Sequence, residues 1–202
     1  FFTSLNILFD TKNNIPKFIF FSEKKSYQNF SKPIIKTLLS IYSEEIIYLS
    51  IDIEDKIDNK RVKNYYVNPL LLNFIFNNLR AVNLFLTVTD LNNNIIKKTK
   101  NIDKYIYYFH APVSTTKNYT SSAFDNYDII MCLGRFQVEE IRYRENLKKL
   151  AKKELIPTGY HYFDFLTKNI NKNVICDEIL IAPSWNKELK HFLNESFVIL
   201  ID

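Results

Sequence analysis

Along the chain, short runs that are apolar on both faces alternate with longer stretches whose apolar residues recur every three or four positions. The first pattern belongs to a strand buried on both sides, the second to an amphipathic helix. KFIFFS (17–22) reads as a strand, and YQNFSKPIIKTLLSIY (27–42) as a helix with Phe30, Ile34, Leu38 and Ile41 on one face. Pro33 is expected early in that helix, or at a delayed start. EIIYLSI (45–51) and VKNYYV (62–67) follow as strands, and LLLNFIFNNL (70–79) as a buried helix. VNLFLTVT (82–89) and YIYYF (105–109) are strands, NYTSSAFDNY (118–127) a short helix or turn, and DIIMCL (128–133) another strand. RFQVEEIRYRENLKKLAKK (135–153) reads as a long helix with Phe136, Val138, Ile141 and Leu150 inward. ELIPT (154–158) is a strand, HYFDFLTK (161–168) a helical turn, and EILIAPS (178–184) and SFVILI (196–201) the last strands.

This alternation predicts an α/β fold, a parallel sheet with helices on both faces. No internal repeat and no low-complexity linker interrupts it. The polar stretch TKNINKNVICD (167–177) is the expected connection between domains. Residues 1–172 are therefore expected to form one domain and 173–202 a linker with the start of another. The chain opens on FFTSLNILFD, without an initiator Met or the flanks of a signal peptide, which suggests a fragment.

Composition narrows the function classes. The chain has 202 residues, 47% of them hydrophobic, and no apolar stretch approaches the ~18 residues that span a bilayer. Net charge is +5. Phosphate-bearing partners would favour it, but the lysines are scattered rather than blocked, as in a general bias toward Lys, Asn, Ile, Phe and Tyr. Cys132 and Cys176 give no metal spacing and no disulfide framework, so neither metal nor cofactor is expected and a reducing, cytoplasmic setting is the default. Only Gly134 and Gly159 are glycines. A dinucleotide fingerprint needs three in close spacing and a P-loop two separated by four residues, so both motifs are excluded here.

Chemistry gathers where the strands end. In an open parallel sheet, ligands bind beyond the carboxyl ends of the strands. His110 follows 105–109, Gly134 follows 128–133, Gly159 follows 154–158, and Thr89-Asp90 close 82–89. An imidazole with a pKa near 6.5 can take a proton from a hydroxyl. A half-buried His bonded to backbone is the competing reading. Gly134 opens a helix whose free N–H groups form an anion site, with Arg135 adding charge; a plain turn glycine is the alternative. Ser114, Thr115, Thr116, Ser121 and Ser122 offer donors to a polyol or phosphate, or else cap a helix. His161 lies on the same rim as a weaker candidate, and His191 has no assigned role. Arg135, Arg142 and Lys149 recur at seven-residue spacing, as a solvated face or a membrane-surface contact.

A strand ending in His, then AFDNYDIIMCLG, a basic helix, LIPTGYHYFD and ILIAPSW resembles the CDP-glycerol glycerophosphotransferase family of teichoic-acid polymerases and primases. The resemblance covers about residues 80–186. Where that family has His-Gly-Thr, this chain has His110-Ala111-Pro112; within Gly-Tyr-Pro-Arg-Asn-Asp, Gly159, Tyr160 and Asp164 match and 161–163 depart. Within Ala-Pro-Thr-Trp-Arg, Ala182, Pro183, Ser184 and Trp185 fit, and Asn186 replaces Arg. The resemblance implies a GT-B architecture, with 1–172 as its Rossmann-like acceptor-side domain and 173–202 leading into the nucleotide-binding one. It implies His110 as general base on an acceptor hydroxyl that attacks the β-phosphate of CDP-glycerol and releases CMP. Ser114, Thr115, Gly134, Arg135, Gly159, Tyr160, Asp164 and Ser184 are then the expected substrate-binding residues. The implied partners are a nucleotide-linked donor and a polyol-phosphate or glycan acceptor, at the cytoplasmic side and compatible with peripheral membrane contact. A nucleotide-sugar transferase of the same fold and a non-catalytic α/β binding module are the competing readings. Nucleic-acid binding ranks last, because no recognition motif accompanies the charge.

Overall fold

The computed structural model describes residues 2–92 and 96–169. Seven strands form one fully parallel sheet: β1 (Phe18–Ser22), β2 (Ile46–Ser50), β3 (Val62–Tyr66), β4 (Ala81–Leu86), β5 (Ile102–Tyr108), β6 (Ile129–Cys132) and β7 (Glu154–Pro157). Their order is β3-β2-β1-β4-β5-β6-β7. The chain winds outward from β1 to β3, then returns to β4 and winds the other way. The reversal between β1 and β4 opens a crevice at the carboxyl edge, the usual ligand position of such folds.

Successive residues along the central strands enter opposite cores, as the two-residue period demands. Ile19, Phe21, Ile47, Leu49, Leu84, Leu86, Tyr105 and Tyr107 enter one core. Phe18, Phe20, Ile46, Tyr48, Phe85, Ile106 and Tyr108 enter the other. Both faces are sealed over β1 and β2, whose five residues each are buried throughout. The edge strands β3 and β7 are largely exposed instead.

Among the described residues five α-helices accompany the sheet: α1 (Phe2–Asn13), α2 (Gln28–Ile41), α3 (Leu72–Asn78), α4 (Arg135–Lys148) and α5 (His161–Asn169). The α1 helix has no counterpart in the hydrophobic pattern. Its buried positions include Ser4 and Thr11 beside Ile7, so its inner face is too polar to show a stripe. The predicted helix 70–79 begins as a single 3-10 turn, Pro69–Leu71, before α3. The stretch 118–127 forms turns rather than a helix. Strand β4 stops three residues before the predicted end, because the chain turns through left-handed Asp90 (φ 56) and Asn92 (φ 75).

The α4 helix corrects two expectations. It ends at Lys148 rather than 153, closed by Lys149 in the left-handed conformation. Its inward face is Gln137, Ile141 and Glu145, while Phe136 is 44% exposed. The polar inward positions are satisfied locally. Gln137 accepts from Leu133 N and donates to the Val113 carbonyl. Glu145 accepts from Arg142 and Lys153 N. The seven-residue basic stripe therefore dissolves, since Arg142 is tied to Glu145 and the Lys153 carbonyl and Lys149 is the cap.

Pro33 sits inside α2, not at its start. It has no N–H to give the Asn29 carbonyl four residues back. His161 of α5 supplies the missing donor, with Nε2 at 3.0 Å from that oxygen. A carbonyl can only accept, so Nε2 carries the hydrogen. The compact unit ends at Lys168. The proposed boundary at 172, the strands 178–184 and 196–201, and Ser184 lie outside the described residues. Among the described residues, no helix is long and apolar enough to cross a membrane.

Candidate functional site

All strands being parallel, His110 beyond β5, Gly134 beyond β6 and Gly159 beyond β7 share the carboxyl edge of the sheet. The connection after β1 brings Tyr27 to the same edge, where its ring stacks on His110 at 4.9 Å and 27°. Strand β4 lies between β1 and β5, so this stacked pair bridges the crevice at the reversal.

His110 is half-buried. Burial pushes its pKa below the ordinary 6.5 by penalising the imidazolium. Its Nδ1 is buried without a hydrogen-bond partner. The ring is positioned by stacking and by its backbone: Tyr160 Oη donates to the His110 carbonyl at 3.2 Å. A base acting through Nε2 carries its hydrogen on Nδ1, and no carboxylate takes it here. The chemistry available is that of a neutral, desolvated imidazole, without the acidic orienting partner of a triad.

Tyr27 is held from below. Gln28, its neighbour at the start of α2, donates to the buried Asp55 carboxylate at 2.6 Å. Tyr48 and Ser50 donate to the same carboxylate at 3.0 and 2.9 Å. Asp55 is 2% exposed, and three donors compensate its burial. Tyr48 is pushed up chiefly by burial. Sequence reading missed this anchor, because Asp55 sits in an acidic loop, IDIEDKIDNK (51–60), with no distinguishing spacing.

Glu23 is a second group that sequence reading passed over. It follows the fully buried β1 at the crevice. Burial holds its carboxyl above the ordinary range, with Lys24 pulling the other way. The available signal was its place as the first ionisable residue after an uninterrupted apolar strand.

Ser114 and Thr115 have a different role from the expected one. Ser114 Oγ donates to Glu140 Oε1 at 2.6 Å, while Thr115 donates to Oε2 through both its N–H (2.5 Å) and its hydroxyl (2.7 Å). Thr115 is fully buried, so it offers nothing to a substrate. Burial raises the Glu140 pKa, but the hydrogen bonds from Ser114, Thr115 and Thr116 outweigh it and leave the carboxyl below its ordinary range. Four and eight residues further along α4, Arg144 donates to the Thr115, Tyr119 and Thr120 carbonyls, and Lys148 to Ser121 and Asp125. Glu140, Arg144 and Lys148 thus form one polar stripe that pins residues 114–125 of the connection after β5. Thr120 and Ser122 donate to Asp90, early in the connection from β4 to β5.

Gly134 is the N-cap of α4 in extended backbone (φ −169), and an added Cβ would meet the Phe136 ring at 3.2 Å. Arg135 is 92% exposed and pairs with Glu139 at 2.7 Å. Gly159 has φ +70 and open space around it, a conformation that favours glycine. Asp164 is exposed in the first turn of α5. The structure therefore gathers His110, Tyr160 and the unpredicted Tyr27 and Phe30, and leaves Ser114 and Thr115 as scaffold. Among the described residues no group of three His, Cys, Asp or Glu is placed to hold a metal ion. Cys132 is buried within β6, its thiol pushed up to about 11 chiefly by burial, with Arg142 opposing.

No protein-family model and no curated protein matches the chain. Among solved structures it is similar to the wall teichoic acid polymerase TagF, at 16% identity and a TM-score of 0.55, over 80% of this chain and 43% of that one. At this identity the likeness establishes the fold. The chain spans less than half the length of that polymerase.

Proposed function

We propose that this chain is the acceptor-side part of a two-domain GT-B transferase of the glycerophosphotransferase type. It moves glycerol phosphate from CDP-glycerol to a polyol-phosphate or glycan acceptor in cell-surface polymer synthesis. The observation that carries the reading is His110: a desolvated imidazole at the carboxyl edge, beside the reversal of a sheet whose fold is shared with a teichoic acid polymerase. In this reading His110 removes the proton from the acceptor hydroxyl. The oxygen then attacks the β-phosphate of the donor and CMP leaves. Gly134 and the first N–H groups of α4 face the same edge, where a helix amino end favours phosphate. Gly159, Tyr160 and Asp164 complete the acceptor side, residues up to about 172 form this domain, and 173–202, with Ser184, lead to the nucleotide-binding domain. In this reading the protein works in the cytoplasm.

The test is CMP release from CDP-glycerol by the protein that carries this chain, with and without acceptor. Proton removal by a positioned base contributes roughly 10²–10⁴-fold. With no acidic partner on Nδ1, we expect His110→Ala to lower kcat by about 10²-fold, the lower end of that range. Near-normal kcat in a folded variant rejects the base; a loss confined to KM makes His110 a binding residue. Release of nucleotide from a nucleotide sugar, and none from CDP-glycerol, moves the donor to that class.

A further inference from the structure

We propose that Asp55 is a positioning residue for His110: through Gln28 it fixes the turn that lays Tyr27 on the imidazole. This rests on His110 being the base of the transferase reading above and names what orients it. His110 Nδ1 has no hydrogen-bond partner, so the ring is oriented by the packing of its neighbours. Tyr27 stacks on it, and Phe30 meets it edge-on at 6.2 Å. Both rings come from one short stretch, the 3-10 turn Lys25–Tyr27 and the first turn of α2.

That stretch is weakly held by its own bonds. No side chain caps the start of α2 at Tyr27. Pro33 has no N–H for the Asn29 carbonyl, which removes one helical bond from the first turn. One turn of the β2–β3 connection grips the stretch from outside. Asp52 accepts from Lys25 N at 3.1 Å, Glu54 pairs with the Lys25 ammonium at 3.6 Å, and Asp55 accepts from Gln28 at 2.6 Å. These carboxylates hold residues 25 and 28, which flank Tyr27.

The three contacts differ in strength. Those to Lys25 are exposed, where an ion pair contributes little. Asp55 and Gln28 are buried, at 2% and 5% exposure, where a hydrogen bond to a charged acceptor is strong. Tyr48 and Ser50 also donate to Asp55, but they lie in β2, seven and five residues earlier, so their bonds fold the loop onto its own strand. Gln28 lies 27 positions away, and its bond carries the hold of the carboxylate to α2 and so to His110. Gln28 donates to the Lys56 carbonyl of the same loop as well, at 3.1 Å.

The experiment reads the imidazole C–H signals of the 202-residue chain by NMR, its 3 histidines assigned by His→Gln variants. The face of a stacked ring shifts the His110 signals upfield, and Tyr27→Leu, which fills the space without a π face, gives their unstacked position. Gln28→Leu and Asp55→Ala are expected to move the His110 signals most of the way to that position. Asp55→Asn is expected to keep them, because its oxygen still accepts from Gln28 while its amide meets the Ser50 hydroxyl. Tyr48→Phe removes another donor to the same carboxylate and should lower stability without moving His110. If Asp55→Ala does not fold, Gln28→Leu decides. In the protein that carries this chain, Gln28→Leu is expected to lower kcat about tenfold at unchanged KM, less than the loss on removing His110. Unmoved His110 signals in folded Gln28→Leu overturn the proposal. So does an equal displacement in Tyr48→Phe, or displaced signals with kcat unchanged. Displaced signals in a protein that never turns over CDP-glycerol leave Asp55 holding the ring and remove the transferase reading. Turnover through His110 with unmoved signals does the reverse.

Discussion

Removing the Glu140 carboxylate tests whether α4 holds the connection that carries His110. Glu140→Ala leaves the N–H and hydroxyl of Thr115 without an acceptor, and Thr115 is fully buried. An unsatisfied buried donor costs about 1–3 kcal/mol, and bonds to a charged acceptor lie toward the upper part of that range. Two such groups, with some relief from water at the partly exposed Ser114, give about 3–4 kcal/mol. For a unit of this size, melting falls about 2–4 °C per kcal/mol, so a drop of about 6–16 °C is expected. Glu140→Gln keeps one acceptor oxygen and should lose about half as much. A pH series adds a check of sign. The Glu140 carboxyl lies below its ordinary 4.5 in the fold, so its contribution is present above 4.5 and is lost as pH falls through the folded value. The gap between wild type and Glu140→Ala should therefore narrow in acid. Calorimetric melting of the three proteins from pH 7 downward measures all of this. A drop under about 3 °C, or equal losses for Ala and Gln, would refute the clamp.

Three further outcomes are expected. In a double-mutant cycle, His161→Ala should cost about 1 kcal/mol with Pro33 present and clearly less in Pro33→Ala, where a backbone N–H returns to Asn29; denaturant unfolding reads the coupling, and its absence dismisses the α2–α5 link. Gly159→Ala should cost about 1–2 kcal/mol for its left-handed backbone, despite open space around it, and an unchanged melting temperature would contradict the assigned φ. Because burial lowers the His110 pKa, the unfolded chain takes up its proton first as pH falls; stability relative to His110→Gln should decline from 6.5 down through the folded value, and the acid limb of kcat/KM should lie below 6.5. An acid limb above 6.5 would exclude His110 as the titrating base.

The sheet was legible in the sequence because its causes are local. Strands such as FIFFS and IIYLS are apolar on both faces up to a closing serine, a pattern that a sheet buried on both faces accommodates. Once the strands are parallel, the residue after each strand falls on a common edge, so His110, Gly134 and Gly159 could be placed together from order alone. What polar residues do there was not legible. Ser114 and Thr115 look the same in sequence whether they face a ligand or a buried carboxylate, and Glu140 lies 26 and 25 positions away. Tyr27, Phe30 and Tyr160 belong to segments separated by the whole unit and meet only because β1, β5 and β7 end on one side. The Asp55 anchor and the His161 bond to Asn29 have the same origin. Each pairs polar groups from segments far apart in the chain, and such pairing is chosen by the packed geometry rather than by any period in the sequence.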